Sequence, residues 1–354
     1  MTATGGSATQ ELLQEIGRDL VRVRPAPGSA WVAVRVSTTL LLALTALAVV
    51  GRLDLVAYAS FGGFASVYGG PARFAARWRM QASRGVWMTG AVLTGAVVAT
   101  TDARAWLAPP VAAAWAVIGA RVSTRRQWRP PGPLFLVFAA ATSAGIPVTF
   151  TDLGPVVAAA ATTAALAVAL GVVEVRVLGA NGPAPATGPV EAPWRTPVAC
   201  GVAALAAGTV ATASGLVHPS WAMVAAVVPF STVPLRGQLV RGVHRVAGTA
   251  VGLVLAGLLL AAMPLPVWAV ILVLTGLQAA TELWVVRQYG VALVFITPLA
   301  LTLTVVAQPS PGPMAQLLVS RILETVLGVA IGLAVALLAR PGPRPRLRGA
   351  RRLR

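Results

Sequence analysis

An all-α, multi-pass membrane protein of about twelve spans, arranged as two parallel six-helix repeats, is the fold class the sequence predicts. Three observations lead there. Of the 354 residues, 57% are hydrophobic and only 11% charged, where a soluble domain carries about a quarter charged residues. The apolar residues come in runs near the ~20 needed to cross a bilayer. And the order of events repeats: Trp31 opens a run to Gly51, followed by a short turn, a run ending Phe64-Ala65-Ser66-Val67, then Arg73, Arg77, Arg79 and Arg84. Trp194 opens a second run to Gly215, followed by a turn, a run ending Phe230-Ser231-Thr232-Val233, then Arg236, Arg241 and Arg245. Gly90 and Gly95 correspond to Gly252 and Gly257. Duplicated multi-helix units create an interface where a substrate can sit, which makes transport the first functional expectation.

The expected spans of the first repeat (31–178) are roughly 31–50, 54–70, 84–101, 105–121, 133–151 and 154–178. Those of the second (194–339) are roughly 196–216, 220–235, 243–263, 265–283, 288–307 and 313–339. The second span of each repeat is short for a straight crossing. All 28 basic residues are arginine, and they set the orientation. One set of alternate loops holds nearly all of them, and the opposite loops hold Arg52 and Arg104 beside Asp54 and Asp102. Both termini are thus expected in the cytoplasm, with the chain in the cell (inner, plasma) membrane and the repeats in the same orientation.

Residues 1–30 form a cytoplasmic segment in which Leu12, Leu13, Ile16, Leu20 and Val23 have helical spacing, as a helix lying on the inner membrane surface would. Glu11, Glu15 and Asp19 exclude a signal peptide. The Gly/Pro/Ala-rich stretch 179–193 reads as a linker. The arginine-rich tail 340–354 is expected to rest on anionic lipid headgroups.

Some chemistries are not supported. The net charge of +18 is not gathered into a nucleic-acid patch. Cys200 is the lone cysteine, and His218 and His244 lack companions at ligand spacing, so neither a disulfide nor a metal site is expected. With no lysine there is no ATP-binding Gly-rich loop, and no cofactor or enzymatic activity is expected.

Charge inside a span is costly and therefore informative. Arg321 and Glu324 fall near mid-membrane in the last span. Gln316, Ser320, Glu324, Gly328 and Gly332 make one polar and small stripe at steps of four. Arg321 binding a carboxylate while Glu324 exchanges a proton is one reading; an i,i+3 ion pair that locks helices is the other. Glu174, Arg176 and Glu282 lie near span ends, where long side chains reach the headgroups, although Gln278 and Glu282 have the spacing to line an inner vestibule. The eighth span opens on His218-Pro219-Ser220-Trp221 and is interrupted at Pro229, while Gly62-Gly63 weakens the second. Paired interrupted spans point to a translocation site, with a packing kink as the alternative. Most tryptophans fall at span ends as interfacial anchors; Trp221 opens the interrupted span.

Two segments carry a resemblance. His218-Pro219-Ser220-Trp221-Ala222 with Arg245-Val246-Ala247-Gly248-Thr249-Ala250-Val251-Gly252, and Arg287-Gln288-Tyr289 with Phe295-Ile296-Thr297-Pro298, are similar to the motifs of the fusaric-acid-resistance (FUSC) family. That family includes aromatic carboxylic acid exporters and is distantly related to plant malate channels. The first repeat has only Arg84-Gly85-Val86-Trp87-Met88-Thr89-Gly90 at the corresponding place, and the large cytoplasmic domain of longer family members is missing. The resemblance implies a proton-coupled exporter of small organic anions, plausibly aromatic carboxylates. Arg321 and Arg245 would attract the carboxylate, Trp221 would contact a ring, and Glu324 would carry the proton. Thr249 and Thr297, inside the same segments, complete the expected binding set. A passive anion channel and a non-transporting membrane partner are the alternatives. The fused pair is compatible with action alone or as a homodimer.

Overall fold

The computed structural model describes residues 14–182, 190–191, 193–232, 234–307 and 312–340. Within these residues it is all helical, with no strand. From Ser29 onward the helices are α1 (Ser29–Val49), α2 (Val56–Gly63), α3 (Arg77–Ala99), α4 (Arg104–Arg125), α5 (Leu134–Gly145), α6 (Leu153–Leu178), α7 (Arg195–Ala213), α8 (Pro219–Val227), α9 (Leu235–Ala261), α10 (Val267–Val285), α11 (Tyr289–Ala307) and α12 (Met314–Leu338). Eight segments are long and apolar enough to cross a membrane: α1, α4, α6 with its preceding turn, α7, α9, α10, α11 and α12. Three more are apolar but shorter, Leu53–Val67, Leu134–Gly145 and Pro219–Ser231. The protein is thus a multi-pass membrane protein, and among the described residues eight segments meet that measure of a full crossing, where about twelve spans were expected. The linker 179–193 and the tail 340–354 lie largely outside the described residues.

Local sequence sets the helix ends. Proline supplies no N–H and has a fixed φ, so it belongs at or just before a helix start. Pro133, Pro219, Pro234, Pro266 and Pro313 precede or open five of these helices. In the 3-10 turn Phe150–Asp152 that leads into α6, Thr149 and Asp152 close a capping box, the Thr149 N–H donating to Asp152 Oδ2 at 2.8 Å. Helices α1 and α7 stop in the same way. Gly51 and Gly215 both take φ 68°, which only glycine adopts without steric cost. The next residue then bonds back across the last turn: Arg52 N–H to Leu47 O at 2.8 Å, and Leu216 N–H to Ala211 O at 3.1 Å.

Packing runs in matched pairs. Helix α3 packs on α5 and α6, and α9 packs on α11 and α12. Helix α2 lies against α6 and α8 against α12, while α4 meets α5 and α10 meets α11. Between the two sets, α4 runs along α7 and α10 along α1. Exposed Val34, Val251, Val254, Leu258 and Leu272 face outward, an apolar belt of the kind a bilayer covers.

The short helices are held by absent side chains. A Cβ at Gly328 or Gly332 of α12 would collide with the Ala222 or Ala226 carbonyl of α8. One at Gly252 of α9 would sit 2.8 Å from Leu293 O of α11. Close backbone approach through small residues replaces the hydrophobic drive that helices lose in lipid. Substituting Gly328→Leu is expected to destabilise the fold by roughly 1–3 kcal/mol or more. Thermal melts in detergent should show the drop, with Gly257→Leu, which faces only Leu318 Cδ1 at 3.5 Å, as the milder control.

Candidate functional site: a central cavity walled by arginine and aromatic side chains

Helices α2 and α8 are only eight and nine residues long, about 12–14 Å, less than half of a ~30 Å hydrocarbon core. Each then tightens to a 3-10 turn, at Phe64–Val67 after Gly62-Gly63 and at Val228–Ser231 around Pro229. Both interruptions therefore fall where the sequence placed them.

A cavity of about 1270 Å³ lies against both short helices. Its lining takes Ser60 and Phe64 from one, and His218 and Trp221 from around the start of the other. At the arginine-rich end the wall includes Arg24, Arg241, Arg245 and Glu282, and towards the opposite end it includes Arg104, Gly215 and Ala307. Between them stands an aromatic belt. Phe138 packs on Trp221 with ring centroids 4.9 Å apart and on Phe61 at 5.1 Å, and Phe64 meets Phe135 at 4.7 Å.

Arg245 is 4% exposed and lines this cavity. Its Nη1 reaches the Tyr289 hydroxyl at 3.4 Å, while Nε and Nη2 have no hydrogen-bond partner among the described residues. Arg241, one turn earlier, lies over the Tyr289 ring at 4.8 Å. Leaving donors of a buried guanidinium unpaired costs desolvation free energy, so Arg245 has hydrogen-bonding capacity that its protein neighbours do not use.

Arg321 and Glu324 are buried off the lining, at 1% and 0% exposure. They are not hydrogen-bonded to each other. The Arg321 guanidinium stacks on Trp221 with Cζ 3.6 Å from the ring centroid, and its three nitrogens make no hydrogen bond. Glu324 Oε1 accepts the His218 backbone N–H at 2.7 Å, leaving Oε2 unpartnered. Both side chains are thus directed at α8: one supports its indole, the other holds His218, the residue that caps its start. Thr249 and Thr297 are fully buried away from the lining, Thr297 in the α9–α11 seam. Thr297 donates back to Leu293 O at 2.8 Å and packs on Gly252.

Several polar residues sit where the sequence did not place them. Arg35, inside the first apolar run, is 4% exposed. It pairs with Glu174 at 2.7 Å and donates to Ser66 O at 2.9 Å. Arg77 pairs with the same Glu174 at 2.9 Å. Glu174 is therefore the anion of a buried triad joining α1, α3 and α6, not a side chain reaching for headgroups. Glu282 and Gln278 do line the cavity, bonded at 2.9 Å. Trp128 is buried at 2% under Arg84, whose Cζ is 4.6 Å from its ring, and is no interfacial anchor. A charge inside the first apolar run was the available signal for Arg35. Nothing local marks Trp128.

The segment preceding α1 is docked rather than lying apart on a surface. Residues 14–21 are helical, and Glu15 and Asp19 both pair with Arg236 at 2.6 Å. Leu20 O accepts from Gln288 Nε2 at 3.0 Å and lies 2.9 Å from His244 Nε2. The chain then passes Arg24 to Pro27 along the cavity wall. Among the described residues no three metal-ligating side chains come together.

Replacing Trp221 by alanine is expected to cost about 3–5 kcal/mol, because it opens the aromatic belt and uncovers the Arg321 guanidinium. Trp221→Phe should retain most of that stability. Melting temperatures of the two variants check this, and equal losses would contradict the stacking account.

Residues 204–335 match the family model described as fusaric acid resistance protein-like. A Bacillus subtilis (strain 168) protein, the uncharacterized membrane protein YvaC, is 29% identical over 145 residues, covering 40% of this chain and 23% of that protein. The match thus spans under a quarter of that relative's length. No solved structure matches.

Proposed function

Taking as premise a second half that matches the fusaric acid resistance protein-like family, we propose that the chain exports small organic anions, aromatic carboxylates above all, through its central cavity. The observation that carries this reading is Arg245, lining the cavity with two unpartnered nitrogens beside an aromatic belt that includes Trp221. A carboxylate would accept from Arg245, and Arg241 would add attraction. The ring would lie in the belt against Trp221, and Arg321 would act through that indole. We assign Glu324 to proton exchange. Its carboxylate holds the His218 N–H, so protonation would weaken the hold on α8 and on Trp221.

In this reading two six-helix repeats, 31–178 and 194–339, enclose the cavity. The matched packing pairs and the like endings at Gly51 and Gly215 support it. The arginine-rich end faces the cytoplasm and the chain sits in the cell membrane, in keeping with the loop charges. A passive anion channel is the second reading, favoured by a lining that extends from Arg24 and Arg241 towards Arg104 and Ala307.

Uptake of labelled hydroxybenzoate into oriented proteoliposomes, with and without an imposed pH gradient, tests the proposal. Accumulation above equilibrium only with the gradient is the expected result; equilibration without accumulation, together with unitary currents in a bilayer, favours the channel. Arg245→Met should lower uptake about 10-fold or more, the cost of a lost charged hydrogen bond. Glu324→Gln should still fold and should lose the response to the gradient; an unchanged response removes Glu324 from the mechanism.

A further inference from the structure

The cavity has a carboxylate of its own. Glu282 of α10 is the one acidic side chain among the described residues that line it, and the lining also holds the cations Arg24, Arg104, Arg129, Arg241 and Arg245. It is 7% exposed. Gln278, one turn earlier, donates to its Oε1 at 2.9 Å and leaves Oε2 for another partner. That arrangement suits both forms of the group. The Gln278 N–H can donate to a carboxylate oxygen or to the carbonyl oxygen of a carboxylic acid, so a proton is directed to Oε2.

The charged and titratable groups around Glu282 come from each neighbouring element. From α1, Arg35 is the cation whose field reaches it. Arg35 is already committed, since it pairs with Glu174 at 2.7 Å and donates to Ser66 O and Gly70 O. Tyr289 comes from the start of α11, its hydroxyl engaged by Arg245. Arg241 and Arg245 come from α9 along the same wall. No hydrogen-bonded ion pair involves Glu282 among the described residues. A proton on Glu282 therefore changes the net charge that an organic anion seated at Arg245 would meet in the same cavity.

We propose that Glu282 is the proton-exchanging carboxyl of the cavity. An O–H bond forms at Glu282 Oε2 with a proton from hydronium in the cavity, leaving water; the proton later returns to water and the carboxylate is restored. This rests on the reading of the cavity as the transport path. It assigns to Glu282, which faces that path, a step distinct from the hold of Glu324 on α8.

Two measurements test it. Infrared difference spectra over a pH titration, without substrate, should show a carboxyl stretch that is present in wild type and in Glu324→Gln and missing in Glu282→Gln. In proteoliposomes, the ratio of hydroxybenzoate uptake with and without a pH gradient should fall to unity in Glu282→Gln and stay above unity in Glu282→Asp. A Glu282→Gln variant that keeps the wild-type titrating band, or the wild-type ratio, overturns the proposal. If wild type transports nothing, the transport reading fails, while the infrared band still decides whether Glu282 titrates.

Discussion

Every charged group inside this bundle must be paired, stacked or placed against water, and the architecture follows from how each one is accommodated. An ion left alone in hydrocarbon costs several kcal/mol. In the first half Arg35 and Arg77 converge on Glu174, tying three helices together at the arginine-rich end. In the second half the corresponding helix carries its charges deeper and accommodates them differently: Arg321 lies flat on an indole, and Glu324 takes a backbone N–H. The first arrangement leaves only Arg77 Nε without a partner among the described residues, whereas the second leaves all three Arg321 nitrogens and Glu324 Oε2.

Short, interrupted helices make room for the cavity. Because α2 and α8 stop early and tighten to 3-10 turns, neither fills the middle of the bundle, and the lining passes from one to the other. Backbone freed by such breaks is tolerated at membrane depth only where it is buried in protein or lines a cavity. Small residues make this geometry possible. Gly328 and Gly332 let α12 press against the α8 backbone, which puts Arg321 in register with Trp221 and Glu324 with His218.

Much of this was legible in the sequence, for identifiable reasons. Repeated glycines and prolines marked both helix ends and the two broken helices, since those residues act through local backbone geometry. Charge inside an apolar run marked Arg321 and Glu324. What the sequence could not specify was direction. Arg245 and Trp221 reach the cavity while Thr249, one turn along the same helix as Arg245, is buried away from the lining, and no local pattern separates those outcomes. Arg35 and Glu174 are 139 positions apart, so their pairing depends on tertiary structure alone. The docking of residues 14–21 on Arg236 and near His244 is long-range for the same reason.

The central claim is that a water-accessible path runs between the two halves along this lining. Substituted-cysteine labelling tests it most directly, because the native Cys200 is buried at 1% exposure. Cysteines placed at Ser60, Ser220 and Gln278 should react with a membrane-impermeant anionic thiol reagent and be protected by hydroxybenzoate, while those at Thr249 and Thr297 should stay unreactive. Labelling confined to those two buried positions, or protection at none of the lining positions, would contradict the account.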